Sequence, residues 1–508
     1  MGRPSLRCAC RPPTATARGA ARPSDHNEHV PRYTTFTACV TKAFRAPPRA
    51  GGAPHRRGGF TMTSTRTPRA TARRASALVA TATTAVLLAA CGGGQTAEDA
   101  AGGGEQSEVP EFTGEYTGPE VELAYWNGFT GGDGPFMAEL VDRFNAEHEN
   151  ITIVPNTIEW GDFYQRLPAA VTQGEGPEVG VMHLDQLATM AARNVIVPLD
   201  DLAESLELTA DDFTPEVWEA AIYDGARYGI PLDVHSLAMY YNTEHFEQAG
   251  ITEPPTDEAS FMEALDALQA AGFEQPFWMP QVWPSHLMWL SLAWQNGAEI
   301  YAEDGSAAMY DSPEAVEALE WQRAIIDEGY SPNDVAPDSQ YIAFKNGETS
   351  ITWDGIWQIN DLEAEEVPYG IAPIPTIGEE EGVWANSHHF FMTRQAAQDE
   401  NKAAAAQVFI AWMSEQSGEW AGSGLIPARL SVRESGVMDD RPQQVIAEVI
   451  ETMRFLPPVP GVGGVQTEAL EPAIADAVLG NTEPGSALGT AAEQATNLME
   501  ENLESFGG

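Results

Sequence analysis

Residues 121–126 (Val-Glu-Leu-Ala-Tyr-Trp) alternate apolar and polar side chains, which predicts a strand, and a glycine-rich loop follows. Phe136, Leu140, Val141 and Phe144 then recur at helical spacing and predict an amphipathic helix over 136–148. The pattern continues with a strand at 151–154, a helix over 162–172, a short strand at 179–182 and a helix through Ala191. Strand and helix in regular alternation predict an α/β fold with a parallel sheet covered on both faces. In such sheets a ligand sits at the carboxyl ends of the strands. The second half reads as more helical, with amphipathic helices over 260–271, 312–328, 401–414, 467–479 and 486–503. Extended segments at 369–373 and 389–392 interrupt them, and no repeat of 20–50 residues is visible.

A different pattern precedes these elements. Arg66, Arg69, Arg73 and Arg74 stand before an alanine-rich apolar run that closes on Leu88-Ala89-Ala90-Cys91. A basic head, a short apolar core and small residues before the cut describe an export signal, and the core is too short for a permanent span. The ending resembles the lipobox of bacterial lipoproteins, which implies lipidation of Cys91, anchoring to the outer face of the cytoplasmic membrane, and removal of residues 62–90. Residues 1–61, rich in Arg and Pro, read either as a mis-called start ahead of Met62 or as a disordered basic segment. Residues 91–119, with Gly, Glu, Gln, Ser and Thr dominant, read as a flexible tether.

Trimming the chain changes its charge. Of 27 Lys+Arg and 75 Asp+Glu, 15 and 2 lie in residues 1–90, which leaves 12 and 73, a formal net charge of −61. Only Lys345 and Lys402 supply lysine there. Such a charge opposes binding to nucleic acid or anionic lipid, keeps the chain soluble and monomeric, and fits a protein adapted to brine, where salt screens the repulsion. Cys91 is the one cysteine in that part, so neither a disulfide framework nor a thiolate metal site is expected.

Several motifs then line up. The loop Tyr125-Trp126-Asn127-Gly128-Phe129-Thr130-Gly131-Gly132-Asp133-Gly134 resembles the first-strand loop of extracellular solute-binding proteins of the maltose-binding type (family 1). So do Gly174 to Val179 with His183-Leu184-Asp185-Gln186-Leu187, and Tyr228 to Leu237 with Tyr240-Tyr241-Asn242. Phe344-Lys345-Asn346-Gly347-Glu348 with Trp353-Asp354-Gly355-Ile356-Trp357, then 402–412, then Gly424 to Arg429, complete the series in family order. The resemblance implies a fold like the type II periplasmic binding proteins: two α/β lobes, joined by a multi-strand hinge, with a ligand cleft between them. By position one lobe comprises 120–233 with 385–430, and the other 236–383 with 431–508. It further implies a sugar ligand, hinge closure, delivery to the permease subunits of an ABC importer, and neither turnover nor a cofactor.

A sugar presents an apolar ring face and a rim of hydroxyls, so its site needs aromatic rings beside carboxylates, amides and histidines. Trp357 matches the family's stacking position and Trp353 stands nearby; Asp185 matches its hydroxyl acceptor, with a helix N-cap as the other reading, and Gln186 adjoins it. His235 replaces a carboxylate of the maltose-binding relatives at the hinge, and Phe129 and Thr130 replace charged residues in the first loop. Trp126 belongs to that loop, and Asp133 is either an acceptor or a turn residue. Trp283 and Trp289 are expected on the other lobe's side of the cleft. On an extended His388-His389 one ring faces the core or cleft and the other outward. With adjacent histidines on opposite faces and no carboxylate cluster beside them, no metal is expected. Arg429 either clamps an anionic solute or pairs with surplus carboxylates. The alternatives are a glycerol-3-phosphate or glycerophosphodiester receptor, which wants more cations than this chain has, and a secreted glycoside hydrolase, for which chance pairs among so many carboxylates decide nothing.

Overall fold

A computed structural model describes residues 109–302 and 304–506 of the 508-residue chain. The segment 1–61, the export signal 62–90, Cys91 and residues 92–108 of the tether lie outside the described residues. The rest of the expected tether is packed. Val109, Phe112 and Tyr116 rest on the core, Gln407 Nε2 donates to Pro110 O at 2.8 Å, and Asn150 Nδ2 donates to Tyr116 O at 2.8 Å. Three well-spaced apolar side chains anchor a stretch whose average composition reads as linker.

The described strands are, in chain order, β1 (Val121–Asn127), β2 (Ile151–Thr157), β3 (Val179–His183), β4 (Ile222–Tyr223), β5 (Ala226–Arg227), β6 (Ile230–Pro231), β7 (Asp233–Asn242), β8 (Ile351–Gly355), β9 (Tyr369–Ala372), β10 (Val383–Asn386), β11 (His388–Met392), β12 (Ile426–Pro427) and β13 (Met453–Arg454). The first sheet has the order β2-β1-β3-β11-β6, with β1 parallel to β2 and β3. Helices α1 (Gly134–Glu147), α2 (Trp160–Gln173) and α3 (Leu184–Ala192) follow the three parallel strands. Pro135 opens α1, where its missing N–H costs nothing. Glu159 accepts from Asp162 N at the start of α2, and Gly174 at φ +74° ends it.

Both faces of this sheet are covered. Leu123, Tyr125, Val181 and Phe390 face the main core with α1 and helix Glu400–Glu415, whereas Met182 and Phe391 face a second cluster formed with Phe163, Leu167, Leu187 and Met190. The sheet is mixed, however, rather than parallel throughout: β11 runs antiparallel to β3 and to β6. The reason is connectivity. A parallel strand needs a crossover on its own sheet, but β11 follows directly from β10 of the second sheet through Ser387 alone.

The second sheet is built on β7, nine of whose ten residues are buried. Its first half pairs with β12 and β10, its second half with β8 on one side and β9 on the other, all antiparallel. Helices Ser285–Gln295 and Pro313–Asp327 pack on this sheet. The two sheets make two α/β lobes, and the β6–β7 and β10–β11 connections cross between them at neighbouring points. No described helix is long and apolar enough to cross a membrane.

Candidate functional site

Three strands bring three imidazoles to one point. Antiparallel pairing sets His388 of β11 opposite His183 of β3, and His235 of β7 opposite Asn386 of β10. Because only Ser387 separates β10 from β11, His235 and His388 become neighbours with ring centroids 4.3 Å apart, and His183 and His388 lie 4.7 Å apart. One ligating nitrogen from each of His183, His235 and His388 lies within 4.8 Å of the others.

Asp233 lies two residues before His235 on β7 and so shares its face. Its carboxylate is fully buried and accepts four hydrogen bonds: His235 Nδ1 at 3.0 Å, His388 Nδ1 at 2.9 Å, His388 N at 3.2 Å and Trp420 Nε1 at 2.7 Å. Burial alone would raise its pKa. The facing His388 and the donors from His235 and His388 outweigh that, and hold the carboxyl well below the usual range. Burial pushes His235 down to about 4 and His183 well below the ordinary imidazole value, with the neighbouring His388 adding to both shifts.

Aromatic rings wall this cluster. Trp160 at the start of α2 lies 4.4 Å from His183, Phe129 lies 4.8 Å from His388, and Trp357 and Trp384 lie 5.7 and 6.1 Å from His235, all centroid to centroid. Asp185 and Gln186, in the first turn of α3, are buried beside it, and Asp185 Oδ1 accepts from Asn386 Nδ2 at 3.1 Å. Burial raises the Asp185 pKa. The N-cap of α3 is His183, so Asp185 does not cap the helix. Segments far apart in the chain meet on either side. Gly461 N donates to Thr189 Oγ1 at 2.7 Å, a Cβ on Gly463 would meet Gln186 Nε2 at 1.7 Å, and Asn360 Nδ2 donates to Gly422 O at 2.9 Å.

The structure therefore gathers Phe129, Asp185, Gln186, His235, Trp357 and His388 in one place, with Trp283 a ring away from Trp357 at 6.3 Å. Asp133 is buried at the start of α1 with Oδ1 unpartnered among the described residues, and burial raises its pKa to about 7. Thr130 is exposed. Trp126 packs edge-on against Phe163. Two expected cleft residues lie elsewhere. Trp289 is fully buried with Nε1 donating to Ala315 O, and Trp353 is fully buried against Trp321, Phe261 and Phe277. Trp is highly buried on average, and proximity to a motif does not tell a packed ring from one that faces the cleft. Arg429 donates to Asp212 Oδ2 at 2.7 Å, the pairing rather than the clamp.

Two further expectations about the histidines change. His388 and His389 are both buried, because β11 is interior to a sheet covered on both faces, so neither ring faces outward. A carboxylate does stand beside His388, namely Asp233. Sequence reasoning passed over Trp160, Tyr164, His183, Asp233, Trp384 and Trp420. His183 was legible as a polar residue at the end of an apolar run; Asp233 and Trp420 had no local signal, since their pairing joins residues 187 apart in the chain.

A model of the family described as bacterial extracellular solute-binding protein matches residues 139–445. The maltodextrin-binding protein of Bacillus subtilis (strain 168) is 22% identical over 388 residues, which cover 73% of this chain and 87% of that protein. The sn-glycerol-3-phosphate-binding periplasmic protein of Brucella abortus (strain 2308) is 26% identical over 281 residues, 50% of this chain and 62% of that protein. Among solved structures, the GacH receptor of Streptomyces glaucescens, determined unliganded and with acarbose, superposes with a TM-score of 0.67 at 19% identity, over 76% of this chain and all of that one.

Proposed function

The chain belongs to the family of bacterial extracellular solute-binding proteins, and on that premise we propose that it captures a neutral sugar, an oligosaccharide, between its two lobes and hands it unchanged to an ABC permease. The observation that carries this reading is the composition of the cleft: Trp357, Trp384, Trp160 and Trp283 supply flat apolar surface, and Asp185, Gln186 and Asn386 supply hydroxyl partners among them. Rings cover sugar faces, and a buried carboxylate makes strong hydrogen bonds to the rim. In this reading 120–233 with 385–430 form one lobe and 236–383 with 431–508 the other, and closure is stabilised by contacts the solute makes to both. The placement of β11 and helix Glu400–Glu415 on the first sheet supports that division. Lipidation at Cys91 holds the monomeric receptor near its permease, and the acidic exported part suits a salty exterior.

The phosphate alternative is less well supported. Of the candidate residues only Arg429 is cationic, and it is paired with Asp212. The test is a thermal-shift screen of the full chain in about 1–3 M KCl, where charge repulsion is screened, against neutral mono- and oligosaccharides and sn-glycerol-3-phosphate. A ligand of the native state alone raises its stability by about 2.7 kcal/mol at 100 times the dissociation constant. A shift with a neutral sugar that Trp357→Ala abolishes supports the reading. A shift with the phosphate ligand alone overturns it.

A further inference from the structure

We propose that His183, His235 and His388 form a binding site for one divalent transition-metal ion of the imidazole-preferring class, such as Zn²⁺, with a fourth coordination position open to the cleft. The inference stands on geometry and does not rest on the sugar reading. Seven histidines lie in residues 91–508, and three of them, from three different strands, converge so that their ligating nitrogens lie within 4.8 Å of one another.

The hydrogen bonds orient the set. His235 and His388 each engage Asp233 through Nδ1, and His183 engages the Tyr164 hydroxyl through Nδ1 at 2.7 Å. A carboxylate only accepts, so Nδ1 of His235 and of His388 carries the proton. Tyr164 Oη accepts from His183 N at 3.1 Å and its hydroxyl also pairs with Nδ1 of the same residue, which fixes the ring against α2. In the neutral rings this leaves Nε2 of His235 and of His388 as acceptors, and one ligating nitrogen of each of the three rings lies within 4.8 Å of the other two. Metal-ligating histidines usually donate their other ring N–H to a carboxylate, a backbone carbonyl or a water, and Asp233 stands in that place for His235 and His388.

The spacing fits with small adjustment. Zn–N bonds of about 2.0–2.1 Å in a tetrahedral site put ligand nitrogens about 3.4 Å apart, so each ring would move inward by less than about 1 Å. All-nitrogen donors select Zn²⁺, Cu²⁺ or Ni²⁺ over Mg²⁺ and Ca²⁺, which want oxygen. Asp233 beneath the cluster offsets part of the ion's charge, and the strongly acidic chain draws cations towards it. His235 and His388 are buried, while His183 is the partly exposed member, which places the approach on its side. Since β3 and β11 belong to the first sheet and β7 to the second, the ion would also tie the two lobes at their crossing.

The full chain, stripped with a chelator and then titrated with Co²⁺, should take up one equivalent with visible absorption bands of a nitrogen-ligated, low-coordinate site, and Zn²⁺ should displace it. His235→Ala and His388→Ala should each weaken Zn²⁺ binding by at least about 100-fold, whereas His245→Ala, outside the cluster, should leave it unchanged. Should either buried variant fail to fold, His183→Gln, on the partly exposed member, decides the matter. Asp233→Asn should retain one equivalent with affinity lowered about 10–100-fold. Failure of the folded wild-type chain to bind Zn²⁺ or Co²⁺ stoichiometrically, or uptake undiminished in His183→Gln, overturns the proposal.

Discussion

Asp233→Asn separates charge from shape at the crossing of the lobes. The wild-type carboxylate has no solvent contact and satisfies four donors, two of them imidazole Nδ1 atoms and one the Trp420 indole N–H. An amide keeps one acceptor oxygen and turns the other position into a donor. If the oxygen takes the Oδ1 place, the new NH₂ faces Trp420 Nε1 at a spacing of 2.7 Å; if it takes the Oδ2 place, the NH₂ faces His235 Nδ1 at 3.0 Å. Either way at least one buried donor loses its partner, at about 1–3 kcal/mol. Asp233→Ala strands all four and should cost about 3–5 kcal/mol, the range for breaking a buried pair from one side. The assay is equilibrium unfolding in denaturant, with a chelator present, in molar KCl near neutral pH. Acidification checks the sign. Asp233 is held well below its unfolded value of about 3.9, so its contribution is present above that pH and is lost as pH falls through the folded pKa. The wild-type advantage over Asp233→Asn should therefore shrink in strong acid. An Asn variant within about 0.5 kcal/mol of wild type at neutral pH, below the cost of even one stranded donor, would refute this account.

Trp353→Ala should cost about 3–5 kcal/mol of stability, because the ring is fully enclosed by Trp321, Phe261 and Phe277; calorimetric titration of the folded fraction should find solute affinity unchanged, and a selective loss of affinity would return the residue to the cleft. Asp133→Asn should stabilise the chain by more than about 1 kcal/mol at pH 8. The folded pKa of Asp133 is raised to about 7, so wild-type stability from this group is present below about pH 4 and is lost as pH rises through 7. Melting curves of the two proteins should accordingly converge below about pH 4, draw apart as pH rises towards 7 and stay apart above it.

The strands and helices of the first lobe were legible because each carries its own period: 121–126 alternates, and 136–148 repeats its apolar residues every three to four positions. The direction of β11 was not legible, since it is set by a one-residue link from a strand in another sheet. Within the site, Asp185, His235, Trp357 and His388 stood out at element ends. Asp233 did not, because a lone Asp inside Pro-Leu-Asp-Val-His reads as a turn or hinge residue until Trp420 and His388 are folded onto it. The outward ring expected of His388-His389 failed for a related reason. Alternation gives two faces, and burial of both is a property of the layers stacked on the sheet.

The place of β11 between β3 and β6 also sets a timetable. His183 and His388 are direct partners across 205 residues, and until residues 388–392 arrive the first sheet is a parallel trio whose β3 edge has nothing beside it. Pairing at such separation is slow to form, because the intervening chain must be closed as a loop before any contact rewards it. A chain threaded from its N-terminus across a membrane therefore cannot lock its first lobe while most of it is still in transit. The same interior strand that delivers His388 to the cleft keeps the chain pliable until nearly three-quarters of residues 91–508 have emerged.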